Sequence, residues 1–300
     1  MKLTPILGVV LSGLVAGSSV WAALPELEGH LSFSAGASSN LDNAPTLPYG
    51  QPLATGTVES ALDAKLSWGN PEGIHYVFSG WGALNEYTAS EGAGQGSAQL
   101  SPQLRFRTNS GQVRWRTGYE FSRSVDLTQA NDIGQIGSYV SHGARIRPTI
   151  ELTRDWSLTL NSRYRSLNYT DSSRKDQSTL GKASALWETS PQIEWEWEAG
   201  YELVNSNITS IAYQGPLFGA NLYWLPSDER TWNLSLNQAR RSYASVAINE
   251  TTTTLSASFE QQLSKSFLWT LEASWTRNAS SDTYSQYVAR TLSTGFELAW

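Results

Sequence analysis

No cysteine occurs in the 300 residues of this chain. Its absence excludes a disulfide scaffold, a cysteine-ligated iron–sulfur centre and the lipobox thiol of an acylated envelope protein. Histidine is almost as scarce. His30, His75 and His142 are widely separated, give no metal-ligand spacing, and lead us to expect neither metal nor cofactor. Charge is sparse too: 16% of residues are charged, the formal net charge is −6, and no basic tail or basic loop cluster is present, which argues against a nucleic-acid partner. Long apolar runs are missing after the N-terminus. The one such stretch, residues 5–20, follows Lys2 and leads into a small-residue site, Val20-Trp21-Ala22. It is too short to span a bilayer as a helix and reads as a secretory signal peptide, residues 1–22. Residues 23–300 then form the exported protein, without a helical anchor and without a linker that would divide it. A cysteine-free exported chain suits the bacterial envelope.

What the chain has in abundance is Trp and Tyr, 13 of each. Both residues favour sites with one end in hydrocarbon and the other at water. Residues after the leader show no sustained helical period, but runs of strict alternation recur to the end. They predict strands over 28–38, 57–69, 74–87, 97–108, 112–124, 137–153, 156–170, 178–189, 192–205, 211–225, 231–246, 251–263, 266–279 and 285–300. The expected fold is all-β: a transmembrane antiparallel up-and-down β-barrel of about fourteen strands. Connections alternate between short turns, such as Asn70-Pro71-Glu72-Gly73 and Asn109-Ser110-Gly111, and longer segments such as 39–56, 88–96 and 125–136. Short periplasmic turns and longer outer loops are the outer-membrane arrangement, and an even strand number puts both termini in the periplasm.

The final strand shows the two faces. Trp300, Leu298, Phe296, Thr294 and Leu292 share one parity; Ala299, Glu297, Gly295, Ser293 and Thr291 share the other. The first set faces lipid and the second a wet interior. On the lipid parity Trp68, Trp156, Trp187, Trp232, Trp269 and Trp300 fall near one end of their strands, as an inner aromatic girdle would, while Tyr119, Tyr164 and Tyr201 lie toward the other. The interior parity carries Arg105, Arg107, Arg114, Arg116, Arg145, Arg147, Arg163 and Arg165 on strands four to seven. Strand nine, IEWEWEAGYEL, places Glu194, Glu196, Glu198 and Glu202 inside. Each of these charges would cost a few kcal/mol at mid-depth on the lipid face, so a wet lumen is expected, with a basic wall facing an acidic one. At fourteen strands that lumen is too wide for side chains alone to fill. Inward Trp81, Tyr169 and Tyr287 either shape the lumen or stack on sugar rings. A barrel enzyme would need a nucleophile and base; only His142 is placed high enough, beside Ser141, and it reads as an interfacial residue.

In strand count, loop asymmetry and lumen character the chain resembles the OmpG-type porins, single-chain fourteen-stranded outer-membrane channels. The stretches RDWSLTLNSRYRSLNYTDSSRKDQSTLGKASALWE and LWTLEASWTRNASSDTYSQYVARTLSTGFELAW carry the resemblance most specifically. It implies a monomeric pore for small hydrophilic solutes, oligosaccharides included, and no enzymatic activity. It also implies outer loops that gate the pore, in some members through a histidine pair that this chain does not supply. The oligogalacturonate-specific porins, whose pore is lined by arginine, are the second resemblance. Expected partners are outer-membrane lipid and lipopolysaccharide, the solutes, and the barrel-assembly machinery, which would read the C-terminal strand ending in Trp300.

Overall fold

The computed structural model describes residues 26–38, 55–70, 73–87, 94–108, 111–126, 138–170, 172–243 and 245–300. The proposed leader and most of the connections 39–56, 88–96 and 125–136 lie outside these. The strands are β1 (Glu26–Ser38), β2 (Thr55–Gly69), β3 (Ile74–Tyr87), β4 (Gly94–Arg107), β5 (Val113–Asp126), β6 (Tyr139–Glu151), β7 (Trp156–Tyr169), β8 (Lys175–Ser190), β9 (Ile193–Ser206), β10 (Tyr213–Ser227), β11 (Arg230–Tyr243), β12 (Ile248–Ser264), β13 (Phe267–Ser280) and β14 (Tyr287–Ala299). Every predicted strand is present, its ends displaced by no more than three residues. Each pairs antiparallel with its sequence neighbours, and β1 pairs with β14, so the sheet closes into a barrel without an edge.

Closure is made at the chain ends. Gly29 and Trp300 exchange backbone hydrogen bonds, Gly29 N–H to Trp300 O at 3.1 Å and Trp300 N–H to Gly29 O at 3.0 Å. The Trp300 indole lies where a Cβ on residue 29 would be, so a side chain there would displace it. Turns at the end that carries the chain termini are tight: Gly69 and Gly111 take positive φ, 108° and 74°, a conformation open to glycine at little cost. Two-residue connections at 191–192, 228–229 and 265–266 share that end, and the longer connections sit at the other.

Burial is inverted relative to a globular core. The buried hydrophobic residues Ala61, Val77, Ala83, Val204 and Ala289 all point inward, whereas Phe33 (53% exposed), Leu292 (57%) and Trp300 (58%) form part of a band that wraps the outside. So large a continuous apolar surface needs a hydrocarbon solvent. At the short-turn end four indoles stack on that outer face: Trp156 on Trp187 at 5.3 Å, Trp197 on both at 6.0 and 6.2 Å, and Trp195 on Trp197 at 6.2 Å. Phe259 joins Trp232 at 4.6 Å and Trp269 at 5.7 Å on the far side. The aromatic girdle read from alternation is therefore a packed structure on the outer face.

Candidate functional site

Cross-strand register sets the arginines in rungs on the inner face. His75 on β3, Arg105 on β4, Arg116 on β5 and Arg147 on β6 lie directly opposite one another in one row. One rung toward the short-turn end, Arg107 faces Arg114; one rung the other way Arg145 faces Arg163, and a rung beyond that Arg165 lies across from Gly143. A Cβ on residue 143 would collide with the Tyr164 carbonyl oxygen and come within 2.9 Å of Arg165 Cγ, so the glycine leaves the strand pair room for that side chain. Like charges placed opposite each other in a ladder are destabilising, and nothing in strand packing favours this arrangement. All eight predicted arginines stand on one wall.

Only part of that wall is neutralised. Glu151 takes Arg114 Nε at 3.1 Å and lies 3.9 Å from Arg107 Nη2. Arg145 Nε donates to Asn161 Oδ1 at 2.9 Å, and its Nη1 is 3.7 Å from Glu120 Oε1. Among the described residues no carboxylate pairs with Arg105, Arg116, Arg147, Arg163 or Arg165, and the Nε atoms of Arg105, Arg163 and Arg165 are buried without a partner. A cavity of about 190 Å³ opens among Ser101, Gln103, Arg105, Arg116, Arg145 and Arg147. It is a recess in the wall of the lumen.

The glutamates of β9 are also inside, but they do not face the arginines. In an up-and-down barrel, neighbours in sequence are neighbours in space, so β9 lies two strands from β7 and flanks the basic wall. Seven strands round from β5 and β6 are β12 and β13, whose inward carboxylates are Glu250, Glu260 and Glu272. Glu194, Glu196, Glu198 and Glu202 bond locally. Lys182 Nζ donates to Glu198 at 2.5 Å, Asn221 Nδ2 to Glu196 at 3.2 Å, and Ser178 Oγ and Tyr213 Oη to Glu202 at 3.2 and 3.0 Å; Glu194 sits beside Glu188. Among the described residues, every ion pair joins side chains on the same strand, on neighbouring or next-neighbouring strands, or a strand and its adjoining loop. None crosses the lumen. Opposite the arginines a second cavity of about 670 Å³ runs along small polar residues that include Ser32, Thr57, Asn233, Ser256 and Ser293.

Several polar groups at the long-loop end escaped the sequence reading. Arg174 lies 4.2 Å over the Tyr169 ring and pairs with Asp176 at 2.6 Å; Tyr139 packs on Tyr169 at 5.7 Å. Farther round, Arg241 sits 5.0 Å from the Tyr213 ring, Tyr213 packs on Tyr243 at 5.5 Å, and Tyr243 Oη donates to Glu250 at 3.2 Å. Extending the alternation of β8 and β12 by three residues would have placed Asp176 and Glu250 inside. Of Trp81, Tyr169 and Tyr287, all inward, Tyr169 joins the first of these clusters and Tyr287 lies within electrostatic reach of Arg241 and Glu250 in the second. Ser141 and His142 are on opposite faces: Ser141 is buried inside against Ser122 at 2.6 Å, and His142 stacks outside on Tyr119 at 6.3 Å. Adjacent strand residues cannot act as nucleophile and base on one substrate.

The barrel resembles those of bacterial outer-membrane proteins. Its solved neighbours include the TodX monoaromatic hydrocarbon channel (TM-score 0.53, 8% identity, covering 93% of this chain and 91% of that one). They also include OmpT of Vibrio cholerae, expressed in the outer membrane (0.52, 6%, 92% and 97%), and a bacterial polysaccharide outer-membrane secretin (0.51, 12%, 91% and 97%). At such identities the likeness is one of fold. No family model matches the chain, and no curated protein does.

Proposed function

We propose that this protein is an open, non-enzymatic channel of the bacterial outer membrane that passes small hydrophilic solutes by diffusion, oligosaccharides among them. Residues 1–22 are its cleaved leader and 23–300 its barrel; the short turns and both termini face the periplasm, and the terminal Trp300 strand is offered to the assembly machinery. It works as a monomer, like the OmpG-type porins it resembles. The observation that carries this reading is the absence, among the described residues, of any ion pair across the lumen. A barrel locked by its own charges would pair its walls; this one pairs each wall within itself and, among the described residues, leaves five arginines without a carboxylate. A polar lining favours hydrated solutes over hydrocarbons, although one neighbour of the same fold is described as a hydrocarbon channel. Among the described strand residues inward carboxylates outnumber inward Lys and Arg, so a modest preference for cations is expected.

The test is single-channel recording of the refolded protein in a planar bilayer under a salt gradient. Stable conductance with a small reversal potential is expected. Replacing Arg145, Arg147, Arg163 and Arg165 together by Gln moves that potential toward cation preference. Silence from a folded barrel would overturn the channel reading; an unmoved reversal potential would remove the arginine wall from the constriction.

A further inference from the structure

The outer face sorts charge in a way a lipid-facing surface does not require. The chain as a whole is acidic, yet among the described side chains no carboxylate of any strand points outward. Basic side chains do point outward, and they are not scattered. Arg123 on β5, Arg240 on β11, Arg277 on β13 and Arg290 on β14 are exposed, and each lies three positions from the long-loop end of its strand. Lys175 opens β8 at the same end, also outward. An arginine facing mid-bilayer costs about 2–4 kcal/mol, falling to about 0–1 near the interfaces, so these positions near the strand ends mark a headgroup level. Trp275, one rung deeper than Arg277, and Tyr119, two rungs deeper than Arg123, lie on the same face and suit that boundary.

Three of the four arginines form one surface. Arg277 faces Val288, so Arg290 is its diagonal neighbour, about 7–8 Å away. Arg240 stands opposite Thr251 two strands round, roughly 10 Å sideways. Between them lie Thr251, Thr253 and Gln238, the last two hydrogen-bonded at 3.3 Å. All are on the outward parity. Guanidinium groups at two separations, with hydroxyl and amide groups between and, among the described strand side chains, no carboxylate on that face, match a headgroup bearing more than one phosphate monoester.

We propose that Arg240, Arg277 and Arg290 form a docking surface for the phosphate groups of a phosphorylated glycolipid in the outer leaflet. The assignment rests on the outer-membrane reading above, because it takes the long-loop end as the outer one. It does not depend on conduction.

The experiment is native mass spectrometry of the full mature barrel in detergent with bisphosphorylated lipid A. The wild type retains the lipid. Arg240→Gln/Arg277→Gln/Arg290→Gln weakens binding on the order of a hundredfold and each single change about fivefold. Arg230→Gln, outward at the short-turn end, changes nothing, and dephosphorylated lipid A binds the wild type no better than bisphosphorylated lipid A binds the triple variant. Undiminished binding by the triple variant, or by the single variants should the triple not fold, overturns the proposal. So does equal binding of dephosphorylated lipid A or of phosphatidylglycerol. Conductance recorded on the same preparations separates the two readings: a silent barrel that still discriminates phosphorylated lipid A refutes the channel alone.

Discussion

A single carboxylate, Glu151, holds two arginines of the inner wall, while Arg116 and Arg147 one rung away have none among the described residues. The members of that triad are each about a third or more exposed (34–45%), and exposed pairs contribute little to stability. Glu151→Gln should therefore change unfolding free energy by less than about 1 kcal/mol in a denaturant titration while shifting the reversal potential toward anions. A large loss of stability with unchanged selectivity would mean that Glu151 is a structural staple and sits away from the conducting path. Parity alone put the eight arginines and the four β9 glutamates on the face opposite the apolar side chains. Their partners were not, because Glu151 reaches Arg107 across two strand spacings and Arg145 finds Asn161 through register.

Strands were the most legible elements, since a lumen on one side and lipid on the other enforce alternation along their whole length. Their ends were less so. Beyond the lipid band both faces become polar, alternation fades, and β8 and β12 begin three residues before the pattern announces them. That β1 meets β14 follows from a closed barrel, but the register of their meeting was invisible, because it joins residues almost the whole chain apart. Gly29 there leaves space for the Trp300 indole. Gly29→Leu should displace it and cost about 1–3 kcal/mol through overpacking, read as a lower midpoint in heat-modified gel mobility. An unaltered midpoint would show that the indole packs elsewhere without penalty.

At the scale of the whole barrel, the charge map predicts how conduction responds to salt. Ion pairs that closed a lumen would loosen as the Debye length shrinks from about 10 Å at 0.1 M to about 3 Å at 1 M salt. With each wall paired internally, conductance should simply follow bulk electrolyte conductivity over that range. A stepwise opening at high salt would reveal cross-lumen pairing. The amino-acid sequence by itself determined the class of fold, the strand number and which face of each strand meets lipid, because those follow from a period of two that local chemistry writes along the chain. Only the tertiary structure decided which strands lie opposite one another. It turned the glutamates of β9 from a facing wall into a flanking one, left five arginines without a carboxylate among the described residues, and set four outward arginines each three positions from the long-loop end of its strand. Those outcomes depend on closure and register, and both are properties of the assembled sheet.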